Sequence, residues 1–120
     1  MTVLGVALGG ALGALARYRL SGLVAVRQKT PFPTGTLVVN VVGSLLLGAM
    51  FGLVVAGRVS DSALVWGGVG FLGALTTFST FTYETAILIE DGAWGYAARN
   101  AMLTIGLSFG AAALGFVALR

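Results

Sequence analysis

The run Thr76-Thr77-Phe78-Ser79-Thr80-Phe81-Thr82-Tyr83-Glu84-Thr85 packs six Thr or Ser hydroxyls, two Phe, one Tyr and one Glu into ten positions. A hydroxyl that rotates freely can offer its hydrogen to an anion or its oxygen to a cation. Phe78 and Phe81 stand three apart and so share one face of a helix. A Phe ring has a positive edge and a negative face, so edges turned into a passage favour a desolvated anion without presenting a full charge. Two Phe in an apolar helix are usually packing residues. Here they are interleaved with hydroxyls rather than with Leu and Val, which favours the functional reading. Asn40 and Arg17 are the other candidates. Each sits in an apolar stretch, where an amide or a charge is costly unless it finds a partner or water.

What surrounds these residues narrows the chemistry. The chain of 120 residues is 58% hydrophobic and 9% charged, with 19 Gly, no Cys and no His. Its mean hydropathy is +0.99. Soluble domains carry about 25% charged residues, so the shell that would keep this chain in water is missing. The lack of Cys and His excludes disulfides, thiolate or imidazole metal sites, Cys nucleophiles and His general bases. The net charge of +3 comes from seven basic and four acidic residues scattered singly. That pattern suits loops and membrane interfaces rather than a nucleic-acid patch.

A spanning helix needs about 20 mostly apolar residues. Charges and turn formers divide the chain into four such stretches, over residues 2–24, 34–57, 63–89 and 93–119. They form one membrane domain of an all-α, multi-pass protein lying in the lipid bilayer. The intervening loops are Arg27-Gln28-Lys29-Thr30-Pro31-Phe32-Pro33, the turn around Ser60-Asp61-Ser62, and Glu90-Asp91-Gly92. No room remains for a soluble domain, and no basic n-region with a cleavage site marks a removable signal peptide. Four passes put both termini on one side with Arg58 and Arg120. The other side holds Arg27 and Lys29, joined by Arg17, Arg19 and Arg99 where these reach the interface. The positive-inside rule then favours the first and third loops in the cytoplasm. The loop residues alone are evenly divided, so orientation is weakly encoded and insertion both ways round is compatible with the sequence.

Small and polar residues recur every four positions in three of the passes: Gly5, Gly9, Gly13, Arg17, Ser21; then Thr36, Asn40, Ser44, Gly48, Gly52; and Tyr96, Asn100, Thr104, Ser108, Ala112. Close helix packing in lipid relies on such residues. The glycines read as packing seams that one subunit of this size is too small to use alone, which points to a dimer.

The hydroxyl run itself has strand-like composition, but a lone strand cannot cross a bilayer because its backbone would go unpaired. A helix interrupted near mid-membrane resolves the conflict. The break is placed near residues 74–79, with Gly73 as the flexible point and Thr76 to Ser79 opening a second half-helix. Such a break frees carbonyls able to hold a small hard cation, and turns N–H groups of the second half toward an anion.

Three segments resemble the small fluoride channels called Fluc or CrcB-like. They are residues 9–18 (Gly-Gly-Ala-Leu-Gly-Ala-Leu-Ala-Arg-Tyr), residues 35–44 (Gly-Thr-Leu-Val-Val-Asn-Val-Val-Gly-Ser) and residues 70–81 (Gly-Phe-Leu-Gly-Ala-Leu-Thr-Thr-Phe-Ser-Thr-Phe). The third is the most specific; the fourth pass carries no comparable signature. Leu72, Ala74 and Leu75 stand where relatives often differ. The resemblance implies an antiparallel, dual-topology homodimer with two pores along the subunit interface. It also implies a structural sodium ion, not transported, held by backbone carbonyls of Gly73 and Thr76. Phe78 and Phe81 would be the pore phenylalanines and Asn40 a donor to fluoride. Thr77, Ser79 and Thr80 match the hydroxyls of the break, Glu84 an acidic residue beyond the Phe pair, and Arg17 the basic residue ending the first helix.

The resemblance implies a fluoride-selective channel, not an enzyme, and the donors present suit that chemistry. Fluoride is small and strongly hydrated, so a pore must replace its water with close donors. No residue is built to couple flow to protons or ATP. Passive export then follows from the membrane potential, at about 2.3 kcal/mol per charge per 100 mV. The alternative is a small dual-topology proton-coupled drug exporter, which needs a buried carboxylate in its substrate site. Glu84 is the one acidic residue inside a pass and sits near its end. A purely structural subunit would fit the glycines but has no use for the hydroxyl run.

Overall fold

The computed structural model describes residues 2–27 and 29–120; Gln28, assigned above to the first loop, lies outside the described residues. The chain forms α1 (Thr2–Arg27), α2 (Thr34–Val55), α3 (residues 61–75), α4 (Phe78–Glu90) and α5 (Trp94–Leu119), with no strand among the described residues. Within α3 the stretch Leu64–Leu72 winds as a wider π-helix. Four units are long and apolar enough to cross a membrane: α1, α2, α3 together with α4, and α5. The shortest has 22 residues, which at 1.5 Å per residue covers the roughly 30 Å hydrocarbon core.

The helix ends follow local chemistry. α1 runs on to Arg27, past the Val24 expected from composition, because Ala25 and Val26 do nothing to stop a helix. Arg27 in its last turn also complements the negative end of the helix dipole. α2 stops at Val55 and α4 at Glu90, each just before a glycine in the left-handed region, Gly57 (φ 71°) and Gly92 (φ 76°). Only glycine takes that conformation without a steric cost. α3 begins two residues earlier than expected, at Asp61, because the Ser60 hydroxyl accepts the Ala63 N–H at 3.3 Å as a helix cap.

Packing pairs α1 with α3 and α2 with α5, and glycines carry both contacts. A methyl group at Gly9 would stand 2.6 Å from the Trp66 carbonyl oxygen, and one at Gly13 would overlap the Phe71 carbonyl. On the other pair, a methyl at Gly48 would overlap the Ala112 carbonyl and one at Gly115 the Leu45 carbonyl. The glycine seams of α1 and α2 are therefore occupied inside one subunit, contrary to the expectation that a single chain is too small to use them. Short backbone approach is what the sequence encoded, and the four spans supply the partners themselves. Outward, the bundle shows Leu, Val and Phe on all sides, among them Leu12, Leu23, Val26, Phe109 and Val117. Such a surface needs lipid or protein rather than water.

Gly48→Ala is expected to lower stability by about 1–3 kcal/mol through overpacking against the Ala112 backbone. Gly95→Ala, where a methyl meets nothing within 4 Å, is expected to be neutral or mildly stabilising. Thermal unfolding of the two purified variants in detergent checks the contrast.

Candidate functional site

The site grows from two residues whose backbone leaves the helix. Gly73, expected to be the flexible point, keeps helical dihedrals (φ −62°, ψ −36°). The change comes at Thr76 (φ −78°, ψ 155°) and Thr77 (φ −150°, ψ 123°), after which α4 starts at Phe78. Thr76 still donates its N–H to the Leu72 carbonyl at 3.0 Å and its hydroxyl to the same oxygen at 3.1 Å.

Thr77 is held from α2. Its N–H, which in a continuous helix would reach the Gly73 carbonyl, donates instead to Asn40 Oδ1 at 2.7 Å. Asn40 Nδ2 in turn donates to the Thr77 carbonyl at 3.0 Å. The amide of Asn40 thus does for one extended residue what a neighbouring strand would do, within a buried setting. The Thr77 hydroxyl caps α4: it accepts the Thr80 N–H at 3.2 Å, donates to the Thr80 hydroxyl at 3.0 Å and lies 3.4 Å from the Ser79 hydroxyl. Because the N–H groups of residues 77 and 80 are diverted this way, the carbonyls of Gly73 and Thr76 lose the donors that a continuous helix would supply. Gly43 makes room for this join, since a side chain there would run into the Thr76 methyl.

Two grooves flank the join, and Thr77 lines both. The first, of about 400 Å³, is lined by Asn40, Ser44, Thr76, Phe78, Phe81, Thr104 and Ser108, among others. Its two Phe rings lie 5.8 Å apart at 43°. They are not equivalent in one chain: Phe81 is 8% exposed and Phe78 78%. The Ser108 hydroxyl is buried there without a hydrogen-bond partner. The second groove, of about 440 Å³, brings together Arg17, Tyr18, Ser21, Thr36, Thr77, Thr80 and Glu84. Glu84 Oε1 accepts from the Thr36 hydroxyl at 2.8 Å, while Oε2 is buried without a partner.

Of the residues singled out from sequence, the structure therefore collects Asn40, Thr76, Thr77, Phe78 and Phe81 on one side of the join, and Arg17, Thr77, Thr80 and Glu84 on the other. Ser79 is exposed and Gly73 borders a separate apolar groove with Leu47, Val69 and Phe116. Thr36, Ser44, Thr104 and Ser108 belong to the grooves although only their four-residue spacing marked them. Asn100 plays a different part. Fully buried at 0% exposure, it donates to the Thr85 hydroxyl at 2.8 Å and accepts from Thr104 at 3.2 Å. Thr85 passes the chain on to the Phe81 carbonyl at 2.7 Å, so this network locks α4 to α5 beneath the Phe pair.

No group of three or more His, Cys, Asp or Glu able to hold a metal occurs among the described residues. Oxygen ligands for a cation would have to come from the freed carbonyls. A hard ion such as sodium accepts those ligands, so the residues present fit one.

Asn100→Leu leaves the Thr104 hydroxyl buried without its acceptor and removes the tie to Thr85, at an expected cost of about 1–3 kcal/mol. Denaturant or thermal unfolding of the variant against wild type measures it.

Comparison with known proteins places this arrangement. Residues 4–116 match the family described as CrcB-like protein, camphor resistance. A relative from Nocardia farcinica, "Fluoride-specific ion channel FluC 1", is 49% identical over 106 residues, covering 88% of this chain and 72% of its own. "Fluoride-specific ion channel FluC" from Shewanella sediminis is 48% identical over 103 residues, 86% of this chain and 83% of that one. The protein of the same name from Shewanella frigidimarina is 46% identical over 105 residues, with 88% and 85% covered. With a match spanning all four passes and nearly half of the aligned residues identical, the chain belongs to the CrcB-like family.

Proposed function

We propose that this protein is a fluoride-selective channel that lets fluoride leave the cell passively, lowering its cytoplasmic concentration, and that it works as an antiparallel, dual-topology homodimer with a structural sodium ion. It is a multi-pass protein of the plasma membrane in a family of ion channels rather than enzymes. The observation that carries the reading is the first groove: a tilted Phe pair facing hydroxyls and the Asn40 amide, inside a protein whose relatives are named for fluoride.

Each part has a role in replacing fluoride's water. Asn40 spends one Nδ2 hydrogen on Thr77 and keeps a second for an ion. The buried Ser108 hydroxyl, without a partner among the described residues, is a further donor facing the same groove. Phe78 and Phe81 offer ring edges, which attract an anion without binding it so tightly that it stays. Because Thr77 lines both grooves, a path past the join leads to Thr80, Thr36, Arg17 and Glu84. Positive charge at Arg17 would draw anions toward that mouth.

Three features support the dimer and its ion. Thr76 lies 15 residues after Asp61 and 14 before Glu90, the ends of its span, which suits an interruption near mid-membrane. The exposed Ser79 hydroxyl and the Gly73 carbonyl would be expensive against lipid. A second copy would cover them, and would give the largely exposed Phe78 a protein neighbour. The carbonyls of Gly73 and Thr76, joined by those of the second copy, would hold sodium, whose positive charge would stand in for the helical donors these oxygens lack. The even division of loop charges suits insertion in both orientations.

The test is flux from liposomes loaded with fluoride and given a potassium leak. Rapid fluoride release without comparable chloride release is expected. Retained fluoride, together with cationic dye pumped by a pH gradient, would sink the channel reading in favour of an exporter. Phe78→Ile, Phe81→Ile and Asn40→Ala should each bring flux close to background with the dimer still assembled on size exclusion. Wild-type flux in any one removes that residue from the pathway. Replacing sodium by a bulky organic cation during preparation should lower activity; indifference counts against the Gly73 and Thr76 carbonyls.

A further inference from the structure

The loop cations Arg27 and Lys29 take no part in either groove at the join. They lie at one end of the molecule, where the last turns of α1 and the first loop enclose a third groove, of about 540 Å³. It is lined by Leu20, Leu23, Val24, Arg27, Lys29, Thr30 and Thr34. Its chemistry is divided. Leu20, Leu23 and Val24 make an aliphatic floor along α1, continuous with the outward-facing Leu23 and Val26, which are 68% and 86% exposed. The two cations and the Thr34 hydroxyl sit at the end where α1 leaves the apolar layer. Neither the Arg27 nor the Lys29 side chain has an ion pair, hydrogen bond or ring contact among the described residues. In that they differ from Arg99 and Arg120, which lie over aromatic rings at 5.8–5.9 Å. The nearest acidic groups in sequence on this side, Glu90 and Asp91, are not among the groove's lining.

We propose that this groove is a binding site for the headgroup of an anionic phospholipid. The phosphate would lie between Arg27 and Lys29, and one acyl chain over Leu20, Leu23 and Val24. Arg offers a forked pair of N–H donors suited to phosphate, and Lys a compact charge beside it. The aliphatic floor is what selects a lipid over free phosphate. A phosphate ion would gain nothing from three Leu and Val side chains, whereas a lipid's acyl chain, kept out of water throughout, packs along them. Basic pockets at membrane depth hold lipid headgroups by the same combination.

Native mass spectrometry of the intact protein, released from detergent with equal phosphatidylglycerol and phosphatidylcholine, tests this. Two cations near a membrane surface, at about fivefold each, predict roughly a 25-fold preference for the anionic lipid. That preference should fall to near unity in R27Q/K29Q and persist in R27K/K29R and in R58Q, whose charge lies at the other end of the chain's loops. Equal retention of both lipids by wild type, or an unchanged preference in R27Q/K29Q, overturns the proposal. Displacement of the bound lipid by inorganic phosphate at the same concentration also overturns it, because the site would then read phosphate alone. Since the wild-type comparison stands by itself, the test holds even if the double variant fails to fold. Fluoride flux in R27K/K29R should equal wild type, so the lipid site and the channel reading succeed or fail separately.

Discussion

A backbone that stops being helical inside a membrane exposes N–H and C=O groups with no water to satisfy them, and in this protein one side chain meets that constraint. Asn40 reaches across from α2 and takes both polar groups of Thr77, at 2.7 and 3.0 Å. The rest of the site follows from that grip. With Thr77 extended, its hydroxyl is free to cap α4, the Phe pair is set at the start of a new helix, and the carbonyls of Gly73 and Thr76 are left without their helical donors.

The grip depends on distance, and distance is set by glycine. α2 can bring Asn40 to Thr77 only because Gly43 admits the Thr76 methyl. The same helix is pressed against α5 at Gly48 and Gly115. From the other side, Asn100 and Thr85 tie α4 to α5. The interrupted span is therefore held between two fixed helices, which lets polar groups lie at chosen positions rather than move to satisfy one another.

Much of this was legible in the residues. Four passes follow from apolar length, and the strand-like composition of the hydroxyl run drew attention to the stretch that holds the extended residues Thr76 and Thr77. The four-residue rows marked Thr36, Asn40, Asn100 and Thr104 as inward. Other features were not legible. Gly73 looked like the hinge because glycine is permissive, yet two threonines carry the extended backbone; their β-branched side chains suit it, and the decisive partner is 37 positions away in sequence. The glycine seams read as a sign of a second subunit, whereas folding matched them to carbonyls of the same chain.

The sequence by itself determined the environment, the number of passes and the kind of chemistry, because these follow from composition and from the spacing of residues along one helix. Only the tertiary structure decided which donor meets which acceptor. It divided the polar residues between two grooves, separated a buried Phe81 from an exposed Phe78, and made Asn100 a structural tie beside the groove-lining Thr104 and Ser108. The physical reason is that hydrogen bonds act over about 3 Å. Periodicity can say which face a residue occupies, but bringing two faces within that range is the work of the packed helices.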